Sequence, residues 1–397
     1  MTRRALRISL FTYSTRPRGG VVHSLQLAEA LVALGHHVHL FALAKPGRPG
    51  FFRSTAVPAS FIPVEERDDE PLEERVLRYT DAYVRHLERE IAGGTRYDVY
   101  HAQDCLSANA LLRLRDGGRV PAVVRTVHHV DDFTTPALVR CQRDSILRPD
   151  VRLVVSAYWQ RRLAEEFGVG AHLVHNGVDR RRYTPPASAA ERAAIRAALG
   201  VDASTVVLSV GGVEPRKNSI ALLRAFARAR PRLAKATGRQ PLLVIAGGAT
   251  LLDHHTYREA FEEELARLLR EGVLEPSDLW RPGPVDDDTL LALYRAADVF
   301  AFPSVKEGWG LSVLEAQACG TPVVASDIPV FREYLVDGVN AVLVPPDDEG
   351  ALGSALLRVV SDPALAARLR EGGFATASQY DWRSSAERHV ALYGELV

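Results

Sequence analysis

The sequence predicts an α/β protein built from two Rossmann-like, doubly wound halves. Three observations carry this. At 397 residues the chain is too long for one ordinary core and fits two domains of about one to two hundred residues each. It opens as strand, glycine-bearing loop, helix and strand, and the same order returns after Thr205. The stretch 297–346, ADVFAFPSVKEGWGLSVLEAQACGTPVVASDIPVFREYLVDGVNAVLVPP, is a βαβ unit with a glycine loop at the carboxyl end of its first strand. That is the edge where open α/β sheets bind ligands.

Residues 7–13 alternate loosely and predict the first strand. Arg16-Pro17-Arg18-Gly19-Gly20 follows as a loop. Leu27, Leu31 and Leu34 then recur at helical spacing up to Gly35, ahead of a strand at 38–42. The paired glycines lack the full dinucleotide fingerprint. Alone they read equally well as a helix-entry turn, and their pattern counts against an NAD-dependent enzyme. Residues 71–92 predict a helix with Leu72, Val76, Tyr79, Tyr83 and Leu87 on one face. Its other face mixes Glu and Arg evenly, as a solvated surface does. A strand at 97–101, a helix at 106–114 and a strand at 121–127 lead to His128-His129-Val130-Asp131-Asp132. So many ligand types suggest a metal, but neighbours on an extended chain point apart. A surface loop is the plain alternative. His36-His37 and His254-His255 read as surface residues. A strand at 151–155, a helix at 157–167 and a strand at 173–175 complete the first half. By composition Thr184-Pro185-Pro186-Ala187-Ser188 is the linker.

The second half starts with a helix at 189–199 and a strand at 205–210. Gly211-Gly212-Val213-Glu214-Pro215-Arg216-Lys217-Asn218 follows, then a helix to 230. Lysine occurs at 45, 217, 235 and 306 alone, against a large excess of arginine, so its use at this turn is notable. Arg216 and Lys217 there can clamp a diphosphate, or form a solvated basic turn. A strand ending at Gly247-Gly248, a helix at 256–269 and a strand at 279–285 come next. Asp286-Asp287-Asp288 is expected to cap the helix after it. In the βαβ unit, Gly308 and Gly310 let the backbone approach a ligand. The helix opening near Leu311 offers unsatisfied N–H groups and a partial positive charge suited to phosphate, and Gly320 ends it. Glu307 on the loop and Glu315 in the helix are separated along the helix axis, so they can hold two parts of one extended ligand. Carboxylates accept well from neighbouring hydroxyls. Two solvated glutamates on an ordinary turn remain the alternative. A strand at 340–344, helices from Asp348 and Pro363, and a helical segment 382–397 close the chain.

Composition narrows the partners. The formal net charge is zero, so no bulk positive field favours nucleic acid. No apolar run approaches the eighteen or so residues of a membrane span. The basic start, Met1-Thr2-Arg3-Arg4, precedes a strand and not a signal sequence. Cys105, Cys141 and Cys319 are scattered, odd in number and without metal spacing. They fit a reducing compartment, and a cytoplasmic location is expected.

Glu307 and Glu315 in register within EGWGLSVLEAQACGTPVVAS resemble the signature of the family 4 retaining glycosyltransferases of GT-B fold. The likeness runs over nearly the whole chain. It implies two Rossmann-like domains facing across a cleft. Residues 1–184, with a terminal helix of about 381–397, would form the acceptor side, and 185–380 the donor side. It implies transfer of a hexose-type sugar from a UDP- or GDP-sugar to a small-molecule, glycan or lipid-linked acceptor. No membrane span is expected, and peripheral association is left open. By the same likeness Glu307 and the backbone of Gly308, Trp309, Gly310 and Leu311 contact the donor sugar, and Glu315 the ribose. Arg216 and Lys217 meet the diphosphate, with Gly19 and Gly20 close to it. Gly283 and Val285 lie near the base. His128, in register after Arg125-Thr126-Val127, faces the transferred sugar. His128, Arg216, Lys217 and Glu307 form the catalytic set, with no protein nucleophile, no metal and no other cofactor. The chain departs from the family at Gly212, where most members place an arginine, and this puts one diphosphate contact in doubt. A sugar-nucleotide epimerase of the same fold and a non-catalytic nucleotide-sugar-binding protein are the alternative readings.

Overall fold

A computed structural model describes residues 4–47, 49–65, 67, 70–248 and 255–396. His254, part of the basic start and the last residue of the expected terminal helix lie outside the described residues. The chain divides into two compact units, Met1–Gly177 with Trp382–Val397, and Val178–Asp381.

The first unit is a parallel sheet with helices. Its strands are β1 (Arg7–Thr12), β2 (His37–Ala44), β3 (Ala59–Pro63), β4 (Val99–Ala102), β5 (Val124–Val127), β6 (Val151–Val154) and β7 (His172–Leu173). They lie in the order β3-β2-β1-β4-β5-β6-β7. Helices α1 (Gly19–Ala33), α2 (Leu72–Ala92), α3 (Cys105–Asp116), α4 (Pro136–Leu147) and α5 (Ala157–Phe167) connect them. The strand order reverses between β1 and β4, so the loops after these two strands flank the switch point where such sheets hold ligands.

The second unit repeats the plan. Helix α6 (Ala189–Ala198) leads to β8 (Ser204–Val210), α7 (Ser219–Thr237), β9 (Gln240–Ala246), α8 (His255–Arg270), β10 (Leu279–Gly283) and α9 (Asp287–Ala296). Then follow β11 (Val299–Phe302), α10 (Leu311–Ala318), β12 (Val323–Ser326), β13 (Val342–Val344), α11 (Glu349–Ser361) and α12 (Pro363–Gln379). The sheet order is β10-β9-β8-β11-β12-β13, with its switch point between β8 and β11. All four residues of β11 and of β12 are buried, as the strands of a sheet covered on both faces must be. Val207, Leu243, Val299 and Val324 from four strands pack with Leu222, Phe226 and Leu356 from two helices. The final helix, α13 (Trp382–Tyr393), belongs to the first unit, where it packs on α1. No described helix is long and apolar enough to cross a membrane.

The division between the units falls at Gly177, not after Thr184. Residues 178–183 are tied to the second unit: the Val178 N–H donates to the Tyr380 carbonyl at 3.1 Å, and the Tyr183 ring meets Tyr294 edge-on at 6.0 Å. Arg295 holds Thr184 by its carbonyl at 2.8 Å and its hydroxyl at 2.6 Å. The Pro185-Pro186 stretch is therefore strapped to the second unit. Likewise β5 starts at Val124 and not at Pro121. Proline has no N–H for the ladder, and the Val123 N–H goes to Asp150 Oδ2 at 2.8 Å. His36 is buried, not a surface residue, and its Nδ1 accepts the Leu6 N–H at 3.1 Å.

Candidate active site

At the switch point of the second unit, two loops bring charges together. After β8 the chain turns through Gly211-Gly212 and a 3-10 turn at Pro215–Lys217. After β11 it runs through Pro303 to Gly310. Lys217 Nζ lies 2.7 Å from Glu307 Oε1, and an Arg216 guanidinium nitrogen lies 2.9 Å from the same oxygen. Arg216 also reaches Glu214 Oε1 at 3.3 Å. The ammonium of Lys217 sits 4.2 Å above the centre of the Phe302 ring, a favourable cation–π placement. Burial alone would raise the Glu307 carboxyl, but Arg216 and Lys217 outweigh it and hold the group at about 2. Burial draws Lys217 below its ordinary value. The result is one carboxylate shared by two cations, at the edge where an anionic ligand would arrive.

The backbone around this cluster is built for close approach. Gly211 and Gly212 at the end of β8 press against Gly247 and Gly248 at the end of β9. A Cβ on Gly212 would collide with the Gly248 carbonyl oxygen, and one on Gly247 with the Gly211 backbone. A Cβ on Gly248 would come within 2.7 Å of Pro284, after β10. The Gly247 N–H donates to the Gly283 carbonyl at 2.9 Å, so three strand ends are fastened in a row. Gly310 sits in the left-handed region at φ 94° as it opens α10. A Cβ there would meet Phe331 at 2.7 Å and the Tyr334 hydroxyl at 2.9 Å. The first N–H groups of α10 follow at once.

Glu315, on the fifth residue of α10, is buried. The Tyr294 hydroxyl donates to its Oε2 at 2.9 Å. Burial pushes its carboxyl up to about 7, with the hydroxyls of Tyr294 and Tyr183 opposing the rise. The two glutamates thus differ in kind. Glu307 is a fixed anion; Glu315 titrates near neutrality.

In the first unit, His128 follows β5 and is half-buried. The start of α1 lies beside it: a Cβ on Gly20 would sit 3.9 Å from its ring. Behind it lies a set of buried imidazoles. His23 packs edge-on to His128 at 4.6 Å and to Trp382 at 5.2 Å. His23 also donates from Nδ1 to Asn176 Oδ1 at 2.8 Å, and His389 from Nδ1 to the Ser385 carbonyl at 2.8 Å. Burial lowers His23 to about 3 and His389 to about 4. It also lowers His101 and His128 well below the usual range, so all four are neutral at pH 7.

A family model described as Glycosyltransferase Family 4 matches residues 17–182, and one described as Glycosyl transferases group 1 matches 191–376. A D-inositol 3-phosphate glycosyltransferase of Saccharomonospora viridis is 30% identical over 96% of this chain and 90% of its own. The chain belongs to the family 4 glycosyltransferases. A second relative of the same description, from Xylanimonas cellulosilytica, is 29% identical over 99% of this chain and 98% of its own. Among solved structures, sucrose-phosphate synthase of Thermosynechococcus elongatus superposes with a TM-score of 0.79 at 24% identity, covering 98% of both chains. HepE of Anabaena, in complex with UDP and glucose, gives 0.77 at 19%, covering 98% of this chain and 99% of its own. These likenesses show the fold, which is GT-B.

Within this glycosyltransferase, Arg216, Lys217 and Glu307 come together as one ion cluster, with the start of α10 at the end of the same loop. Glu315 stands apart with its tyrosines. Gly283 caps β10, and Val285 precedes the helix cap at Asp286, whose Oδ1 accepts the Thr289 N–H at 2.8 Å. The Trp309 ring is buried against Tyr334 at 4.7 Å and Tyr380 at 5.1 Å, so it is not a side chain that lines the loop. Gly19, Gly20 and His128 gather in the first unit. Sequence reasoning missed Tyr294, Phe302 and Gln103, each of which supports a site side chain from another element. The one sequence signal was indirect: Gln103 directly follows a fully buried strand, at the edge where sites form.

Proposed function

We propose that this glycosyltransferase moves a hexose-type sugar from a nucleoside diphosphate sugar to a hydroxyl acceptor, with retention of configuration and without a divalent metal. What carries the reading is the shared contact of Lys217 and Arg216 with Glu307, at the loop that leads into the start of α10. Two fixed cations and the open N–H groups of a helix form a preorganised receptor for the charge that grows on a departing diphosphate, and such preorganisation is worth several kcal/mol. Glu307 and His128 serve the transferred sugar, and Glu315 the ribose. The acceptor hydroxyl attacks from the face that the diphosphate leaves, and its proton passes to a phosphate oxygen. The acidic run at 286–288 is otherwise engaged, since Asp286 caps α9 and Asp287 pairs with Arg182 at 2.7 Å.

The relatives' description makes inositol 3-phosphate the first acceptor to try, and the UDP and glucose held by HepE make a UDP-hexose the first donor, with GDP-hexoses beside it. The test is turnover of these pairs with excess EDTA, with the product's anomeric configuration read by NMR. An α-linked product from an α-donor, formed at an undiminished rate, is expected. An inverted product, or activity lost to EDTA and restored by magnesium, would overturn the reading. Free UDP and an epimerised sugar without acceptor would replace it with an epimerase.

A further inference from the structure

Gln103, just beyond β4, stands between two imidazoles of the first unit. Its Oε1 lies 3.1 Å from His128 Nε2, and its Nε2 lies 3.1 Å from His101 Nε2. His101 is fully buried. Thr126 Oγ1 approaches the same His101 nitrogen at 2.7 Å, and Tyr393 Oη, on α13, approaches His101 Nδ1 at 2.7 Å. With its oxygen toward His128 and its NH2 toward His101, the Gln103 carboxamide gives the chain of bonds one direction, because the oxygen only accepts and the NH2 only donates. His128 carries its proton on Nε2, and this N–H donates to Gln103 Oε1. His101 keeps Nε2 bare, its one lone pair shared between the Thr126 hydroxyl and the amide, and it donates from Nδ1 to Tyr393. The opposite His101 tautomer would set N–H against N–H across 3.1 Å. At the end of the chain His128 Nδ1 is left as a lone pair.

We propose that Gln103 is a positioning residue for sugar transfer: it holds His128 in the Nε2–H tautomer, so that Nδ1 accepts a hydrogen bond from a sugar hydroxyl. The inference rests on His128 serving the sugar, as proposed above. It adds which group of the sugar is recognised. An imidazole offering only a lone pair rewards a hydroxyl donor and repels a carbonyl or ring oxygen. Through His101 and Tyr393 the tautomer is also anchored to α13, nearly three hundred residues along the chain from His101.

Imidazole nitrogen spectra of the ligand-free protein, labelled with 15N-histidine, read the tautomer directly, whether or not any sugar is transferred. His128 should be Nε2–H in the wild type and a mixture of tautomers in Gln103→Leu. With donor and acceptor, Gln103→Leu should lower kcat about tenfold, the rate equivalent of one neutral hydrogen bond. The donor KM should move less than about twofold. Gln103→Glu keeps an accepting oxygen and should recover most of kcat. If leucine misfolds the unit, Gln103→Met gives the same readings. A wild-type His128 protonated on Nδ1, or a tautomer untouched by losing the amide, overturns the proposal, as does an unchanged kcat. If the wild type transfers no sugar, the functional reading fails instead, and the spectra still decide the network.

Discussion

At the scale of residues, the informative contrast is between two glutamates eight positions apart. Glu307 is held near 2 by two cations and cannot change charge in any working buffer. Glu315, buried and raised to about 7, changes charge where proteins work. An ionised carboxylate accepts from two ribose hydroxyls, whereas the protonated form has lost much of that capacity. Nucleoside diphosphate affinity should therefore rise as the pH goes from 6 to 8. Glu315→Gln should weaken binding roughly ten- to a hundredfold at pH 8, in line with a charge-assisted bond of about 1.5–3 kcal/mol. At pH 6, where the wild type is itself mostly protonated, the two should nearly coincide. Glu307→Gln should not weaken the bare diphosphate, because it releases Arg216 and Lys217, but it should weaken the sugar-bearing donor. Titration calorimetry at the two pH values gives each number. A pH-independent gap between wild type and Glu315→Gln would show that the carboxyl does not titrate in this range.

At the scale of elements, the site depends on where backbone is allowed to go. Gly310→Ala forces a side chain at φ 94° into Phe331 and the Tyr334 hydroxyl. Left-handed strain of that sort costs on the order of 1–3 kcal/mol. The variant should melt several degrees lower and bind the diphosphate more weakly, because the first turn of α10 must move. Thermal melts with and without UDP measure both, and a ligand-induced shift equal to that of the wild type would mean that α10 is not the phosphate platform. The missing arginine at 212 is a related matter. Gly248 leaves no room there for any side chain, whereas Arg216 already places its guanidinium on Glu307. How much of this could be read from the chain follows from distance along it. The glycine loops, the Gly320 stop and the aspartate caps are local signals, and the sequence displays them. Strand β3 has five residues, ends in proline and is only partly buried, so its pattern is too short to stand out. Helix α4 carries one local signal, proline at its first turn after Thr135. The pairing of Lys217 with Glu307 spans 90 residues, and no spacing rule reaches that far. Likeness to a family assigns both residues to the donor, but only the folded sheet shows Lys217, with Arg216, on one oxygen of Glu307. Tyr294 beneath Glu315 and Gln103 beneath His128 had no local signal pointing to their partners.

At the scale of the molecule, the two units should answer acid in opposite ways. His23 and His389 are neutral in the fold, with values of about 3 and 4 against about 6.5 in an unfolded chain. A depressed histidine lends stability that is complete above about 6.5 and drains away as the pH falls toward the folded value. Between pH 6.5 and 4.5 each withdraws about 2–3 kcal/mol from the first unit. Glu315 works in the other direction. Its folded value is raised, so its contribution is complete below about 4.5 and is lost as the pH climbs through 7. Acidification from 7 to 5 therefore weakens the first unit and relieves the second. Scanning calorimetry should show one broad transition near pH 7 that splits toward pH 5, the first unit melting earlier. Replacing His389 by phenylalanine should reduce the split. Two transitions that keep a fixed separation across this range would exclude the buried imidazoles as its cause.

The placement of α13 has a consequence for synthesis. The sheet of the first unit leaves the ribosome early, yet the helix that covers its buried histidines lies beyond the whole of the second unit. The later-made unit has every residue it needs by Asp381, while the earlier one must wait with His23 and His101 short of their cover. The part of this enzyme translated first is thus the part that finishes folding last, and it is the one that a chaperone would have reason to attend.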